Sequence, residues 1–225
     1  MPMTRFSPSR MLSFDLETTS LDRHEARIVT SALVTIDESG AHPRELLADP
    51  GVEIPKAAQD VHGISTEYAR EHGRPHDEVL AETIDAIRAG WEEGYTLIVF
   101  NAPYDLSVLA ALEPGFTVDG PVLDPLLIDR LNDRYRKGKR NLSVLSEHYG
   151  VSLDNAHEAT ADALAAARIA WKQARFYPAI TEKDADELME YQAVGYYELQ
   201  ADFRSYLERK GRDASDVDTA WPMLS

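Results

Sequence analysis

The stretch Met11-Leu-Ser-Phe-Asp-Leu-Glu17, followed by Thr18 and Thr19, decides the fold of this chain. Apolar and polar residues alternate along it, and this period of two predicts a β-strand. The same period places the side chains of Asp15 and Glu17 on one face, near the end of the strand. Two buried carboxylates are costly unless positive charge neutralises them, which favours a divalent cation with oxygen ligands, magnesium or manganese. A lone pair of this kind also arises by chance in an acidic chain.

The rest of the sequence predicts strands first and then strands alternating with helices, which is typical of an α/β fold with a mixed sheet. Runs of β-branched and apolar residues predict four further strands, at residues 28–36, 45–48, 96–101 and 118–123. Helical periodicity and capping residues predict helices at about residues 77–89, 103–112, 125–134, 142–149, 158–176 and 184–210. We expect a main domain over residues 10–178 and a C-terminal helical extension over 179–225 that packs on it.

Two further groups of polar residues stand beside predicted elements. Asp105 comes shortly after the strand at 96–101, and His157 and Asp162 flank the start of an alanine-rich helix. Each also has an ordinary structural explanation. Asp105 would be an acid in the first turn of a helix, favoured by the helix dipole, His157 a loop or capping residue, and Asp162 a solvated helix acid. Their order along the chain, after Asp15 and Glu17, makes them candidates for one acidic site.

Three stretches, taken in order, make the chain resemble a known family. They are Phe14-Asp-Leu-Glu-Thr-Thr-Ser20, Phe100-Asn-Ala-Pro-Tyr-Asp-Leu-Ser-Val-Leu109 and Ala156-His-Glu-Ala-Thr-Ala-Asp-Ala-Leu164. Together they resemble the DnaQ-like 3′–5′ exonucleases of the DEDDh class, in the ribonuclease H-like superfamily. Val61-His-Gly-Ile-Ser65 and Val122-Leu-Asp-Pro-Leu126 also resemble family elements. The resemblance implies a ribonuclease H-like mixed five-stranded sheet flanked by helices.

The resemblance also implies a catalytic set and its chemistry. Asp15, Glu17, Asp105 and Asp162 would bind two divalent cations, Mg2+ or Mn2+, that clamp an in-line displacement at phosphorus. His157 would be the general base, since imidazole changes its charge near neutral pH. The implied reaction releases nucleoside 5′-monophosphates from a 3′ end.

Substrate-binding residues follow from the same resemblance. Thr18 and Thr19 should hold the terminal nucleotide, and Leu21 should lie against its base. Asn101 and Tyr104 are candidates for the binding groove, with Tyr104 stacking on a base. His62 is a further candidate, although it also fits as a turn residue before Gly63. Tyr104 and Ser20 stand where the family commonly has phenylalanine and glycine.

Composition excludes several classes of protein. The chain has no cysteine, so disulfides, zinc–thiolate sites and thiol nucleophiles are excluded. It has 44% hydrophobic residues, too many for a disordered chain, and no apolar run near the roughly 20 residues of a membrane helix. We therefore expect a cytoplasmic enzyme that does not associate with membranes.

The charge distribution bears on the partner. The net charge of −16 argues against extended, non-specific binding of nucleic acid. Six basic residues nevertheless fall in one eleven-residue window, where they form either a phosphate-contacting loop or a solvated loop: Arg130, Arg134, Arg136, Lys137, Lys139 and Arg140.

The residues of the first motif, Asp15-Leu-Glu-Thr-Thr19, resemble those of proofreading nucleases and favour single-stranded DNA or mismatched 3′ ends as the substrate. The alternatives are an RNA 3′ exonuclease or oligoribonuclease, because the four acids and the histidine do not distinguish the sugars. A third alternative, from a different class, is an interaction subunit that associates with a polymerase through its C-terminal helix, although no convincing clamp-binding motif supports it. We expect that helix to pack on its own domain, and Trp221 to be exposed unless the tail docks.

Overall fold

The computed structural model describes residues 5–153 and 157–225. Ala156, the first residue of the third motif, lies outside this part of the chain. Within it the strands form one mixed sheet in the order β4-β3-β2-β1-β5-β6. The antiparallel pairs β1–β2 and β2–β3 make a meander, whereas β5 runs parallel to β1 and β6 runs parallel to β5. The strands are β1 (Met11–Thr18), β2 (Ile28–Asp37), β3 (Gly40–Asp49), β4 (Arg74–Pro75), β5 (Thr96–Ile98) and β6 (Val122–Leu123).

The α/β class is confirmed, but the predicted count of five strands is wrong. The additional strand is β4, a two-residue segment that pairs in parallel with Ala48 and Asp49 of β3. Two residues, one of them proline, carry no periodicity, so this strand exists only because β3 offers it a free edge. The strand predicted at 96–101 is shortened to β5, because the chain enters a helix at Ala102. The strand predicted at 118–123 is shortened to β6, because only Val122 and Leu123 pair with β5.

Helices cover both faces of the sheet. Helices α1 (Lys56–His62) and α2 (Thr66–His72) were not predicted, because seven residues show too little helical periodicity. Local caps are nevertheless present: Gly63 ends α1 at a φ of 77°, and the Ser65 hydroxyl accepts the Tyr68 N–H at the start of α2. The helices are α1 (Lys56–His62), α2 (Thr66–His72), α3 (His76–Glu92), α4 (Ala102–Leu112), α5 (Pro125–Asn132), α6 (Leu142–Tyr149), α7 (Ala159–Phe176), α8 (Ala179–Glu182) and α9 (Ala185–Arg209).

The alternation in β1 separates two hydrophobic layers. Leu12, Phe14 and Leu16 belong to the layer formed with α3 and α4. Met11 faces the other way, into a cluster with the alanines of α7. Ser13, on the same face as Met11, donates its hydroxyl to the Ala163 carbonyl at 2.6 Å. Small side chains on α7 thus bring this helix close to the odd-numbered face of β1, the face that carries Asp15 and Glu17.

The C-terminal segment packs on the other elements. Leu188, Gln192 and Gly195 of α9 are buried, and a Cβ added to Gly195 would lie 2.4 Å from the Leu131 side chain, so glycine permits the close approach to α5. Trp221 is only 9% exposed and joins the cluster around Phe14, so the tail docks. The division of the chain into a main domain over residues 10–178 and a C-terminal extension over 179–225 stays a prediction. Among the described residues no helix combines the length and the apolar composition needed to cross a membrane.

Candidate active site

The first two acids of the site come from β1. Asp15 and Glu17 are half-buried and lie on the strand face that looks toward α7. Cross-strand pairing with β2 fixes their register, since Asp15 lies opposite Ala32 and Glu17 opposite Thr30. The ladder becomes irregular after Glu17, where β1 ends and the chain leaves the sheet. The two side chains therefore sit near the end of a strand whose position is fixed by its pairing with β2.

The third acid is delivered by α4. Asp105 lies in the first turn of that helix, only 4% exposed, and its Oδ1 accepts the Leu16 N–H at 3.1 Å. Leu16 stands between the two acids of β1, so this bond fixes the α4 carboxylate beside them. The interpretation of Asp105 as an ordinary surface acid at a helix start does not account for a buried carboxylate aimed at the strand.

The fourth acid and the histidine come from the start of α7. Asp162 lies in the first turn of the helix, and its Oδ1 accepts the His157 N–H in a long hydrogen bond of 3.4 Å. His157 is exposed and has a φ of 73°. In the described residues the only other non-glycine residue with positive φ is Asn101, at 65°. Both belong to the predicted site, as is common for backbone strain.

The carboxylates interact strongly with one another. Burial, followed by the negative charges of Asp105, Glu17 and Asp162, raises the pKa of Asp15 well above its ordinary value. Burial and the neighbouring Asp162 and Asp105 raise the pKa of Glu17 to about 8. Burial raises the pKa of Asp105 to about 7, although the Leu16 N–H opposes this shift. Such a cluster is stable at neutral pH only with bound protons or bound cations.

The donor set fits a divalent cation. Glu17, His157 and Asp162 each offer a ligand atom, and these atoms lie within 4.8 Å of one another. Asp15 and Asp105 would add further carboxylate oxygens: the charge of Asp105 contributes to the raised pKa of both Asp15 and Glu17, and the charge of Glu17 contributes to that of Asp15. Carboxylate oxygens are the ligands that Mg2+ and Mn2+ prefer.

Two supporting acids were missed by the sequence analysis. Glu45 of β3 accepts the N–H of Thr160 at 3.3 Å and also its hydroxyl proton, which holds the first turn of α7. Its charge also contributes to the raised pKa of Glu17. No local pattern singles out Glu45, because its partner lies 115 residues away.

The second supporting acid is Asp124, at the end of β6. It is 2% exposed, and its carboxylate accepts the backbone N–H groups of Asn101, Ala102, Leu126 and Leu127 at 2.9–3.3 Å. It therefore caps α5 and also holds the start of α4, which carries Asp105. Burial raises its pKa to about 6 against the opposing effect of these bonds. The sequence signal for Asp124 is the stretch Val122-Leu-Asp-Pro-Leu126, which resembles a family element but does not by itself indicate a role for the acid.

The structure brings the loop after β1 together with α4. The Tyr104 hydroxyl donates to the Ser20 carbonyl at 2.5 Å, and the Thr18 hydroxyl donates to the same carbonyl at 2.9 Å. Thr19 is buried, and its Oγ1 accepts the Arg27 N–H at 3.1 Å. Leu21, at the tip of this loop, is 92% exposed. The two threonines thus shape the loop, while Leu21 is presented to solvent beside the acids.

His62 and Asn101 differ in their surroundings. His62 is 9% exposed, and its Nδ1 accepts the Ile64 N–H at 3.1 Å, which leaves the proton on Nε2. Nε2 is buried and finds no hydrogen-bond partner among the described residues. Burial lowers the pKa of His62, so its neutral form is favoured. The Asn101 side chain is exposed, whereas its backbone N–H is held by Asp124.

Comparison with known proteins gives a family and several relatives. A family model described as an exonuclease, RNase_T, matches residues 12–170. The PolC-type DNA polymerase III of Clostridium perfringens is 29% identical over 161 residues, 69% of this chain and 10% of that protein. The DNA polymerase III subunit epsilon-like protein of Rhodobacter capsulatus is 31% identical over 168 residues, 68% of this chain and 22% of that protein. The chain thus spans about a tenth to a fifth of these relatives.

Solved structures share the fold. E. coli exonuclease I in complex with a dA16 oligonucleotide has a TM-score of 0.62 at 18% identity, covering 76% of this chain and 42% of that one. Exonuclease X in complex with 5′ overhanging duplex DNA has a TM-score of 0.59 at 20% identity, covering 79% and 99%. A 3′-exonuclease that recognises the histone mRNA stem-loop has a TM-score of 0.58 at 14% identity, covering 74% and 82%. These likenesses place the sheet and helices in the ribonuclease H-like fold.

Proposed function

This chain belongs to the exonuclease family whose model spans residues 12–170, within the DnaQ-like group, and we propose that it is a DEDDh 3′–5′ exonuclease acting on DNA. It would hydrolyse phosphodiester bonds at single-stranded or mismatched 3′ termini and release nucleoside 5′-monophosphates. The observation that carries this proposal is the convergence of Asp15, Glu17, Asp105 and Asp162 beside His157. The charges of Asp105, Glu17 and Asp162 all contribute, after burial, to the raised pKa of Asp15.

The four carboxylates would hold two divalent cations, Mg2+ or Mn2+. When bound, such cations offset the charge of the carboxylates and withdraw charge from the phosphodiester. Asp15 and Glu17 are oriented by the strand, and Asp105 by its bond to the Leu16 N–H, so these groups need little reorganisation to bind.

His157 would act as the general base. One imidazole nitrogen accepts a proton from the attacking water, a role that needs an exposed ring within reach of the carboxylate cluster. Its backbone bond to Asp162 and its left-handed conformation support this role, since they hold the residue at the start of α7 rather than in a free loop.

The terminal nucleotide would lie between the loop after β1 and α4. Leu21 would pack against the base, while Thr18 and Thr19 shape the loop that holds it. Tyr104 and Asn101 would line the groove, and the unpartnered Nε2–H of His62 would donate to the substrate. A buried donor without a partner is unusual without a ligand, which supports the assignment of His62.

The choice of DNA is supported by the names of the relatives, which are DNA polymerase III proteins. In those proteins the matching region is a small part of a longer polypeptide, so association of this chain with a polymerase is a further proposal. An RNA 3′ end remains the alternative substrate.

The test is digestion of 5′-labelled oligonucleotides by the full chain with Mg2+ or Mn2+. We expect single-nucleotide shortening of DNA with a free 3′ hydroxyl and resistance of the same strand with a 3′ phosphate. His157→Ala should lower turnover about 100-fold or more without lowering the melting temperature, whereas the exposed His72→Ala should leave turnover unchanged. Equal digestion of blocked and free ends would contradict the proposal. Faster digestion of an RNA strand of the same sequence would instead identify RNA 3′ ends as the substrate.

A further inference from the structure

The loop that joins α5 to α6, residues 133–141 and called here the basic loop, has two sides. Arg136 and Arg140 point inward, with side chains only 17% and 11% exposed. Tyr135, Lys137 and Lys139 point outward, and Tyr135 is 90% exposed. Along the loop, the arginines Arg136 and Arg140 are therefore largely buried, whereas the lysines Lys137 and Lys139 are exposed to solvent.

The inward arginines are neutralised within the protein. Both form ion pairs with Asp129, a fully buried acid of α5, which also accepts the Tyr149 hydroxyl proton at 2.9 Å. Arg140 further donates to the carbonyls of Asp133 at 2.5 Å and Arg136 at 3.0 Å. These bonds use the guanidinium donors and hold the loop in one conformation. The sequence left open whether the six basic residues form a phosphate-contacting loop or a solvated loop. In the structure Arg136 and Arg140 are paired within the protein, and Arg134 is also paired, with Asp202.

The outward residues have no such partners. In the described part of the chain, Tyr135, Lys137 and Lys139 make no hydrogen bond or ion pair. The loop therefore presents an exposed aromatic ring flanked by two ammonium groups. Single-stranded nucleic acid offers the complementary chemistry, because its bases stack on aromatic rings and its phosphates pair with cations.

The C-terminal end of the loop lies at the edge of the sheet where β5 and β6 end. It leads into α6, whose Leu142 shares a hydrophobic cluster with Phe100 and Leu126. Phe100 follows β5 and Leu126 follows β6, so this cluster lies at the carboxyl ends of the strands, where α4 begins and delivers Asp105.

A cleft continues this surface toward α9. Its volume is about 430 Å3, and its walls include Arg130, Arg134 and the half-exposed Phe203. Arg130 makes no ion pair among the described residues. The cleft thus adds a second aromatic ring and a further unpaired cation beside the basic loop.

We propose that Tyr135, Lys137 and Lys139 bind the single-stranded nucleic acid upstream of the nucleotide being removed, with a base stacked on Tyr135 and phosphates held by the two lysines. This inference rests on the proposed exonuclease function. Arg136 and Arg140 are positioning residues in this scheme: they hold the loop and do not contact the strand.

The experiment compares Tyr135→Ala and the double variant Lys137→Gln/Lys139→Gln with wild type. The matched controls are Tyr68→Ala, an exposed tyrosine on α2, and Lys56→Gln/Lys210→Gln, which removes two lysines elsewhere. Two readouts are used: the affinity for fluorescent dT12 by anisotropy at several salt concentrations, and the hydrolysis of dT12 and of the p-nitrophenyl ester of thymidine 5′-monophosphate.

We expect each loop variant to weaken dT12 binding and to raise KM for dT12 about five-fold or more, because one stacked base or two phosphate contacts are lost. The double lysine variant should also flatten the slope of log affinity against log salt by roughly 1.4. Hydrolysis of the small ester and both control variants should match wild type. Unchanged dT12 affinity in the loop variants, or an equal loss on the small ester, would overturn the inference. If wild type binds dT12 through the loop but hydrolyses neither substrate, the proposed function fails, and with it the placement of the loop upstream of a removed nucleotide, whereas the binding of a single strand by Tyr135, Lys137 and Lys139 stands.

Discussion

At the scale of single residues, the surroundings of Asp15 strongly oppose the ionisation of its carboxyl group. Burial and three neighbouring carboxylates raise its pKa, so a proton binds it more tightly in the folded chain than in the unfolded one. Without cations, these two carboxyl groups, Asp15 and Glu17, therefore favour the folded state most at low pH. Their contribution to the free energy of unfolding falls as the pH rises through the range in which Asp15 and Glu17 ionise. Bound cations would replace those protons.

This leads to a prediction about metal-linked stability. Saturating Mg2+ or Mn2+ should raise the melting temperature of wild type, by about 5–10 °C at a hundred times the dissociation constant. Asp15→Asn should blunt this rise because it removes a ligand. In chelator the same variant should be more stable than wild type at pH 8, and the difference should shrink toward pH 5.

The measurement is thermal unfolding with and without metal at both pH values. Asp85→Asn, at an exposed acid of α3, is the control and should behave as wild type. A melting temperature of wild type that does not respond to metal would contradict the cation site.

Local periodicity predicts that Asp15 and Glu17 share a strand face, whereas Asp105, His157 and Asp162 become candidates only through the order of the three motifs and the family resemblance that these carry. Asp15 and Glu17 are two apart on a strand, and Asp105 and Asp162 each fall in the first turn of a helix. The structure brings all four together with His157, while their individual roles stay predictions. Glu45 could not be found in this way, because only the packing of α7 on the meander brings Thr160 to it.

At the scale of elements, Asp129 is the anchor of the basic loop. It has no exposed surface, forms ion pairs with Arg136 and Arg140, and accepts a hydrogen bond from the Tyr149 hydroxyl. Asp129→Ala would leave two cations partly buried without their counter-ion, so it should lower the free energy of unfolding by about 3–5 kcal/mol. The check is urea denaturation.

The same element supplies a control for that prediction. Lys137→Gln, on the outward side of the loop, should change the free energy of unfolding by less than about 0.5 kcal/mol, since the lysine has no partner to lose. Equal losses in Asp129→Ala and Lys137→Gln would contradict the division of the loop into inward and outward residues.

The elements also show what sequence can and cannot predict. Helix α6 was predicted to the residue because its signals are local: the Asn141 side chain accepts the Val144 N–H, and Gly150 ends the helix at a φ of 61°. The basic window was ambiguous because the inward turn of Arg136 and Arg140 depends on Asp129, which the linear pattern does not mark. Strand β4 was missed for the same reason, since its partner strand lies 26 residues earlier in its pairing of Ala48 with Arg74.

At the scale of the whole molecule, the net charge of −16 hides an uneven distribution. Four of the acids are gathered where β1, α4 and α7 meet, and two dications would cancel their charge there. Three cations without an ion pair among the described residues, Arg130, Lys137 and Lys139, all fall within residues 130–139. Distant acids are largely screened at physiological salt, where the Debye length is about 8 Å. An enzyme that holds a few nucleotides at one end is compatible with this distribution, whereas tight binding along a long duplex is not.

The C-terminal segment links the whole molecule to the site through Gln192 of α9. Its Oε1 accepts the Asp124 N–H at 2.8 Å, and its Nε2 donates to the Val122 and Leu188 carbonyls at 2.8 Å and 3.2 Å. Asp124 in turn holds the start of α4. We therefore propose that residues 179–225 complete the folded unit of residues 10–178, and are not an independent appendage.

This proposal predicts that a chain ending at residue 178 will not fold to wild-type stability, because Leu188, Gln192 and Trp221 leave the core. Gln192→Ala keeps the chain intact and leaves the buried Asp124 N–H without a partner, so it should lower the free energy of unfolding by about 1–3 kcal/mol. Since Asp124 positions α4, the variant should also lower kcat more than it raises KM. Gln200→Ala, which loses only a bond to the Tyr196 hydroxyl, is the matched control and should retain kcat. A truncated chain that melts at the wild-type temperature, together with a Gln192→Ala variant of unchanged stability and kcat, would show that α9 only rests on the surface.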